Sequence, residues 1–272
     1  MAQTGISPTE RVHTNPESRT ARVAGRADGS PQASAAGFMS DRNRLRLSAA
    51  LLLVGFILFA GITALFHPGH APANDHRAAF AEYADSASWT AVHLGQFASM
   101  ALITAGLLLL YFALDVRTGT SAWIARLGAV SAAIALGLYG ALQAVDGVAL
   151  KQAVDAWANA SQTEEASRFA TAEAVRWLEW GTRSYQTFMF GLTLILLGSA
   201  VALSARLPRP LGYLMALAGL AYIVQGWVVG SDGFTDTNTS AILAGYVLML
   251  AWIVWLLVVA WRTKESLRAP TG

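Results

Sequence analysis

Residues 67–96 form the segment on which the interpretation of the fold depends, and they read HPGHAPANDHRAAFAEYADSASWTAVHLGQ. This polar segment leaves one long apolar run and enters the next, which carries His93 and Gln96. These two residues are three positions apart, so they share one face of a helix. Four of the five histidines of the chain lie in this segment. The sequence therefore gathers polar groups where two membrane spans meet the same membrane surface.

Six segments are long and apolar enough to cross a membrane as helices. A span needs about 20 mostly apolar residues, and 54% of the chain is hydrophobic whereas only 13% is charged. The segments are about 46–66, 90–114, 123–149, 181–205, 211–230 and 240–262. We therefore predict an all-α membrane protein, a bundle of six transmembrane helices within residues 41–265, with the lipid bilayer as its surroundings.

The two ends of the chain differ from this bundle in composition. Residues 1–40 are rich in Ser, Thr, Gly, Ala, Pro and Arg, which predicts a disordered cytoplasmic tail. Residues 266–272 form a short second tail. Met39 directly precedes the basic stretch SDRNRLR, so translation from Met39 is an alternative to translation from Met1.

The distribution of Lys and Arg predicts the orientation, because cytoplasmic loops carry an excess of them. One side of the bundle has ten such residues near the span ends, namely Arg42, Arg44, Arg46, Arg117, Arg126, Arg206, Arg209, Arg262, Lys264 and Arg268. The other side has five, namely Arg77, Lys151, Arg168, Arg176 and Arg183. We therefore expect a multi-pass protein of the cell membrane with both termini in the cytoplasm.

The longest loop, between spans three and four, carries a helix signal. Ser161 and Glu164 have capping-box spacing, and one face of the helix that follows collects apolar residues, namely Ala166, Phe169, Ala170 and Trp177. This pattern predicts an amphipathic helix that lies on the outer membrane surface or caps the mouth of the bundle, ending near Gly181. A solvated loop helix is the alternative.

Small residues recur at four-residue spacing on two spans. Span three has Ala133, Gly137 and Ala141, and span five has Gly226 and Gly230. Small residues allow membrane helices to approach closely. We expect these faces to lie inside the bundle, and similar faces would also serve contact with a second copy or another membrane protein.

Polar side chains lie in the outer third of spans two to five, whereas the inner half of the bundle has almost none. The candidate ligand-binding residues are Gln96, Gln143, Glu179, Arg183, Gln186, Gln225 and Asp232. Polar groups inside a membrane usually face the interior of the bundle. The pattern predicts an outward-facing pocket that binds a small polar ligand; ordinary polarity of residues at the membrane interface is the alternative.

Two chemical roles are open for the histidines and the acid nearest to them. His93 is a candidate general base, and Asp146 would orient it. The candidate metal ligands are His67, His70, His76, His93 and Asp146, a set that suits zinc or another divalent transition metal. The chain contains no cysteine, which excludes thiolate ligands and nucleophiles. HExxH, GxSxG and phosphate-loop patterns are also absent.

Two further function classes are compatible with the sequence. A non-catalytic membrane subunit or scaffold would use the helix of the long outer loop as its docking surface, and span six, with Trp252, Trp255 and Trp261, would supply a helix–helix interface. A small-solute transporter would need polar groups through the full depth of the membrane, and the inner half offers few. The formal net charge of +2 does not indicate a nucleic-acid partner.

The metal hypothesis predicts near-stoichiometric zinc or another transition metal in the purified, detergent-solubilised protein. Substitution His93→Ala should then release that metal, because it removes a nitrogen ligand. Inductively coupled plasma mass spectrometry of both proteins measures the difference. An absence of metal from both would leave a neutral ligand or a scaffold role.

Overall fold

The computed structural model describes residues 41–67, 69 and 71–262, and this part of the chain is helical with no strand. The helices are α1 (Asp41–Phe66), α2 (His76–Asp85), α3 (Trp89–Leu114), α4 (Gly119–Ala144), α5 (Lys151–Ala158), α6 (Glu165–Ser204), α7 (Arg209–Asp232) and α8 (Asp236–Arg262). A π-helical turn, Val145–Leu150, joins α4 to α5. The predicted tails, 1–40 and 266–272, lie outside the described residues.

Six helices are long and apolar enough to cross a membrane. They are α1, α3, α4 with its continuation through α5, α6, α7 and α8. The prediction of an all-α bundle with six spans is therefore confirmed. The spans pack in a ring that follows the order of the chain: α1 contacts α3, α3 contacts α4, α4 contacts α6, α6 contacts α7, α7 contacts α8, and α8 returns to α1.

A small helical cap covers one end of this ring. We define the cap as α2, α5 and residues 165–180 of α6. Its core is a cluster of aromatic and aliphatic side chains that includes Phe80, Tyr83 and Trp157. Lys151 fastens α2 to the start of α5, because its Nζ donates to the carbonyl oxygens of Tyr83 (3.1 Å) and Ala84 (2.8 Å).

The long loop does not contain the separate amphipathic helix ending near Gly181 that the sequence predicted. Residues 165–180 are the first turns of the unbroken 40-residue helix α6, and Gly181 does not end them. A single glycine costs a helix only about 1 kcal/mol. The ion pair between Glu179 and Arg183 spans Gly181, and buried side chains lie on both sides of it, so the helix continues.

Close contact between α6 and α7 depends on pairs of glycines. A Cβ atom added at Gly198 would lie 2.6 Å from the carbonyl oxygen of Gly212, and one added at Gly191 would lie 2.7 Å from that of Gly219. The reciprocal positions are equally crowded. These two helices therefore touch through their backbones, as small residues allow in a membrane.

The small-residue faces of spans three and five have different surroundings. Gly226 is buried against Ser184 of α6, as expected for a residue inside the bundle, whereas Gly230 also contacts Ser184 but is exposed. The stripe on α4 does not lie inside the bundle: Ala133, Gly137 and Ala141 are exposed. The expectation for span three was wrong, because α4 buries its opposite face, with Ser131, Ala132, Ala135, Tyr139 and Leu142, against the bundle.

The glycine contacts lead to a matched pair of substitutions. Gly198→Ala should lower the free energy of unfolding by about 1–3 kcal/mol, because the methyl group meets backbone atoms that cannot move aside. Gly137→Ala should be neutral or raise it by about 0.5–1 kcal/mol, because nothing lies within 4 Å of the new methyl and alanine is the better helix former. Tryptophan fluorescence during unfolding in mixed detergent micelles measures both; equal effects would contradict the α6–α7 contact.

Candidate functional site

Three charged residues of α6 lie on one face where the cap meets the bundle. Their spacing, i, i+3 and i+7, brings Arg176, Glu179 and Arg183 together. Arg176 Nη1 lies 3.0 Å from Glu179 Oε2, and Arg183 Nε lies 2.6 Å from Glu179 Oε1. The Glu179 side chain is fully buried. Its carboxylate is thus held between two guanidinium groups.

The same network continues onto α4 and α3. Arg183 Nη2 lies 3.1 Å from Asp146 Oδ2, and that oxygen lies 3.2 Å from Nε2 of His93. The side chains of Asp146 and His93 are each 2% exposed, whereas that of Arg183 is 27% exposed. We call this linear arrangement the charged chain; it consists of Arg176, Glu179, Arg183, Asp146 and His93.

The π-helical turn positions Asp146 in the charged chain. Such turns shift the backbone hydrogen bonds and often occur at functional sites. Side chains of α3 bond to carbonyls of this turn: Trp89 Nε1 donates to Asp146 O (2.8 Å), and Thr90 Oγ1 donates to Gly147 O (3.0 Å). A Cβ atom at Gly147 would lie 2.6 Å from Cβ of His93, so only glycine allows this approach.

The ring of His93 is fixed on both sides. Its Nδ1 lies 2.7 Å from the carbonyl oxygen of Trp89. A carbonyl can only accept, so Nδ1 carries a hydrogen and Nε2 is the atom that faces Asp146. The rings of Trp89 and His67 lie 4.5 Å and 5.3 Å from the His93 ring. Neither ring nitrogen of His93 is left to face an empty space.

Aromatic groups surround the guanidinium groups at the cap end. Arg176 Nη2 donates to the Tyr83 hydroxyl at 3.3 Å, and burial raises the pKa of that hydroxyl. The ring of Phe234 lies 5.0 Å from Arg176 Cζ and 5.3 Å from Arg183 Cζ, and Trp180 adds a ring 5.9 Å from Arg176. These are cation–π distances. Phe234 therefore covers the charged chain.

The turn between α7 and α8 holds Phe234 in this position. Asn74 accepts from Phe234 N (2.8 Å) and donates to Asp232 O (3.2 Å), which ties the α1–α2 loop to this turn. Gly233 has φ of +72°, a conformation that favours glycine. The Asp232 carboxylate is exposed and accepts from the hydroxyl of the preceding serine. The structure does not bring this predicted ligand-binding side chain into the charged chain.

The predicted glutamines lie about one helical turn deeper than the charged chain. Gln96 follows His93 by three residues, and its Nε2 donates to the Thr63 hydroxyl of α1 (3.0 Å). Gln186 follows Arg183 by three residues and accepts from the neighbouring threonine hydroxyl (3.4 Å). Gln143 and Gln225 differ, because the Oε1 atom of each is buried and has no partner among the described residues.

An aromatic layer lies below the glutamines. The Phe59 ring of α1 lies 6.2 Å from Tyr139 of α4 and 6.4 Å from Tyr246 of α8. Phe190 and Tyr222, on α6 and α7, are 4.9 Å apart. Tyr139 is seven residues from Asp146, a distance of about 10 Å along the helix. From the cap inwards, the order is charged groups, amides, aromatic rings and then aliphatic side chains.

Residues 92–260 match the model of a protein family, the domain of unknown function DUF4386. The chain belongs to this family. The DUF4386 segment begins in α3 and ends in α8, so it contains most of the charged chain's surroundings and all five of its members. No curated protein and no solved structure matches the chain.

The predicted metal ligands do not come together as one set. His67 approaches His93, but His76 is bound elsewhere, with its Nδ1 3.0 Å from Glu173 Oε1 and its ring stacked on Phe80. His70 lies outside the described residues. No group of three metal-binding side chains occurs within the described ranges. A metal site at these positions stays a prediction.

Sequence reasoning missed three residues around the charged chain, two of them outside the DUF4386 segment. Arg176 has helical spacing to Glu179 and Arg183, and this spacing was a usable signal. Tyr83 and Trp89 carry no such signal, because their contacts join distant parts of the chain. A surface cavity of about 390 Å³, lined by Asp85, Trp157 and Glu165 among others, lies on the cap and apart from the charged chain.

The burial of Glu179 leads to a stability prediction. Glu179→Gln leaves two guanidinium groups without their shared carboxylate, so the free energy of unfolding should fall by about 3–5 kcal/mol. Glu164→Gln is the matched control, because it removes an exposed ion pair with Arg168, and its effect should stay below about 1 kcal/mol. Detergent unfolding curves measure both. A Glu179→Gln protein as stable as the control would contradict the central role of this carboxylate.

Proposed function

We propose that this member of the DUF4386 family is a multi-pass protein of the cell membrane that binds a small polar ligand in a pocket open to the outer side. Both termini would lie in the cytoplasm, as the excess of Lys and Arg on that side indicates. The wall of the pocket would be the end of the charged chain that contains Arg183, Asp146 and His93. Gln143 and Gln225 would lie beneath it.

The burial of the charged chain carries this proposal. Ionisable groups are expensive inside a membrane and usually mark functional sites. A buried ion pair adds little to stability compared with apolar packing, so stability alone does not account for four paired charges at this depth. Arg183 is the most exposed member, with 27% of its side chain accessible, and it is the group that an entering molecule would contact first.

The half of the bundle that lies farther from the cap supports ligand binding rather than transport. Below the aromatic layer, most interior side chains are aliphatic, and Leu107, Leu194, Leu197 and Leu211 are each almost fully buried. The buried polar side chains at this depth include the hydroxyls of Thr104, Ser131 and Thr193. Conduction needs polar or backbone groups through the whole depth. Within the described residues, polar side chains concentrate on the cap side, which supports a pocket with a single entrance.

The surroundings of His93 support binding rather than catalysis. A general base needs a nitrogen within reach of a substrate proton. Nδ1 of His93 faces the Trp89 carbonyl and Nε2 faces Asp146. We therefore assign His93 and Asp146 to the wall of the pocket. They would fix Arg183 from the side opposite to Glu179.

A scaffold role is the second candidate, and the surface of α4 favours it. Ala133, Gly137 and Ala141 form an exposed stripe, and nothing lies within 4 Å of a Cβ atom built at Gly137. Such a stripe suits close approach of another membrane helix. This role is compatible with ligand binding, because the stripe lies on the face of α4 opposite to Tyr139.

The absence of cysteine allows a direct test of the pocket and of the orientation. Gln143 and Ser131 lie on the same helix, on opposite sides of the aromatic layer, and their exposed fractions are similar, 8% and 7%. We therefore compare Gln143→Cys with Ser131→Cys. A membrane-impermeant methanethiosulfonate added outside intact cells should label position 143 and leave position 131 unlabelled. Phe234→Ala should speed the labelling of Gln143→Cys, because the covering ring is gone.

Two loop positions control for orientation in the same assay. Gln162→Cys, in the loop between α5 and α6, should be labelled from outside, and Thr118→Cys, between α3 and α4, only after permeabilisation. Equal labelling of positions 143 and 131 would overturn the pocket. Labelling of Thr118→Cys from outside would overturn the orientation.

A further inference from the structure

The pocket of the proposed function contains hydrogen-bond acceptors that have no donor. Three buried atoms next to or beneath the charged chain lack a partner among the described residues: Gln143 Oε1, Asp146 Oδ1 and Gln225 Oε1. A carboxylate oxygen such as Asp146 Oδ1 can only accept. Unpaired buried acceptors are costly, and a bound molecule that donates hydrogen bonds would relieve them.

Unpaired donors occur at the opposite end of the charged chain. Arg176 Nε and Trp180 Nε1 are buried without a partner, and both lie on the cap side of Glu179, beneath Phe234. The two ends therefore differ: the end towards the cap has spare donors, and the end towards the glutamines has spare acceptors. A ligand beside Asp146 meets the acceptor-rich end.

The ionisable groups of the charged chain are already paired with one another. Glu179 faces both guanidinium groups, and Asp146 faces Arg183 and Nε2 of His93. A ligand carboxylate would bring a third negative charge close to Asp146, and a ligand ammonium would compete with Arg183 for that residue. Buried charges without a partner are strongly unfavourable. Because the charged side chains are already paired with one another, a neutral ligand is favoured over a charged one.

Arg183 selects among neutral ligands. Its Nε and Nη2 are bonded to Glu179 and Asp146, and the exposed part of the guanidinium has further N–H groups to offer. A group that donates to Asp146 Oδ1 and also accepts from Arg183 satisfies both. A hydroxyl does this, whereas an ammonium only donates and a carboxylate only accepts.

We infer that the ligand is a small neutral molecule rich in hydroxyl groups, such as a polyol or a monosaccharide. This inference rests on the proposed function, because it names the ligand class of the same pocket. Asp146 and Gln225 accept hydrogen bonds from its hydroxyls, and Arg183 donates to them.

A set of matched probes tests the ligand class. Glucose and myo-inositol are neutral, glucuronate carries an added negative charge, and glucosamine carries an added positive charge. Ligands that bind only the folded protein raise its unfolding temperature. At millimolar concentration, at least one neutral probe should raise the unfolding temperature of the purified, detergent-solubilised protein, whereas glucuronate and glucosamine should leave it unchanged.

Two glutamine variants make the test specific to the pocket. Gln225→Leu removes an unpaired acceptor and should weaken the binding of the active neutral probe about tenfold. Gln152→Leu should leave it unchanged, because this exposed side chain of α5 lies on the cap. A charged probe that stabilises the protein as well as the neutral ones would overturn the inference, as would equal effects of the two variants.

The failure of this inference differs from the failure of the proposed function. If Gln143→Cys is labelled from outside and no neutral probe stabilises the protein, the pocket exists and the ligand class is wrong. If Gln143→Cys is not labelled, the pocket itself is wrong and the inference falls with it.

Discussion

The carboxylate of Glu179 lies between the guanidinium groups of Arg176 and Arg183, and the cap end of the molecule depends on this arrangement. Each member would be a costly buried charge without the others. Arg176 extends the contact to Tyr83 of the cap, and Arg183 extends it to Asp146 of the π-helical turn that follows α4. One carboxylate thus links three elements that are distant in sequence. It also explains why α6 runs unbroken past Gly181, since the linked residues lie on both sides of that glycine.

The π-helical turn supplies the second condition for the charged chain. Irregular backbone inside a membrane is tolerated where protein groups satisfy its carbonyls. Trp89 and Thr90 of α3 do this for Asp146 and Gly147. The same contacts position the ring of His93 against Asp146. The residues that would meet a ligand are therefore held by hydrogen bonds from a neighbouring span, which lowers the cost of ordering them when a ligand binds.

Much of the fold could be predicted from the sequence, because length and hydropathy decide membrane spans. The outer polar residues could also be assigned, since His93, Asp146, Glu179 and Arg183 are ionisable groups at the ends of apolar runs. Their pairing could not, because the contact between Arg183 and Asp146 joins residues 37 positions apart. The stripe on α4 was placed on the wrong side for a related reason. Spacing shows that small residues share a face, but it does not show which face the rest of the bundle covers.

The boundary of the DUF4386 segment does not coincide with the boundary of the bundle. The matched residues begin at 92 and leave α1 outside, although α1 contacts both α3 and α8 and so closes the ring of spans. Its side chains also reach the site: Thr63 accepts from Gln96, and Phe59 completes the aromatic layer with Tyr139 and Tyr246. A ring without α1 would open the amide and aromatic layers to lipid, and Gln96 would lose its partner Thr63. The functional unit of this chain therefore includes α1 together with the segment that defines the family.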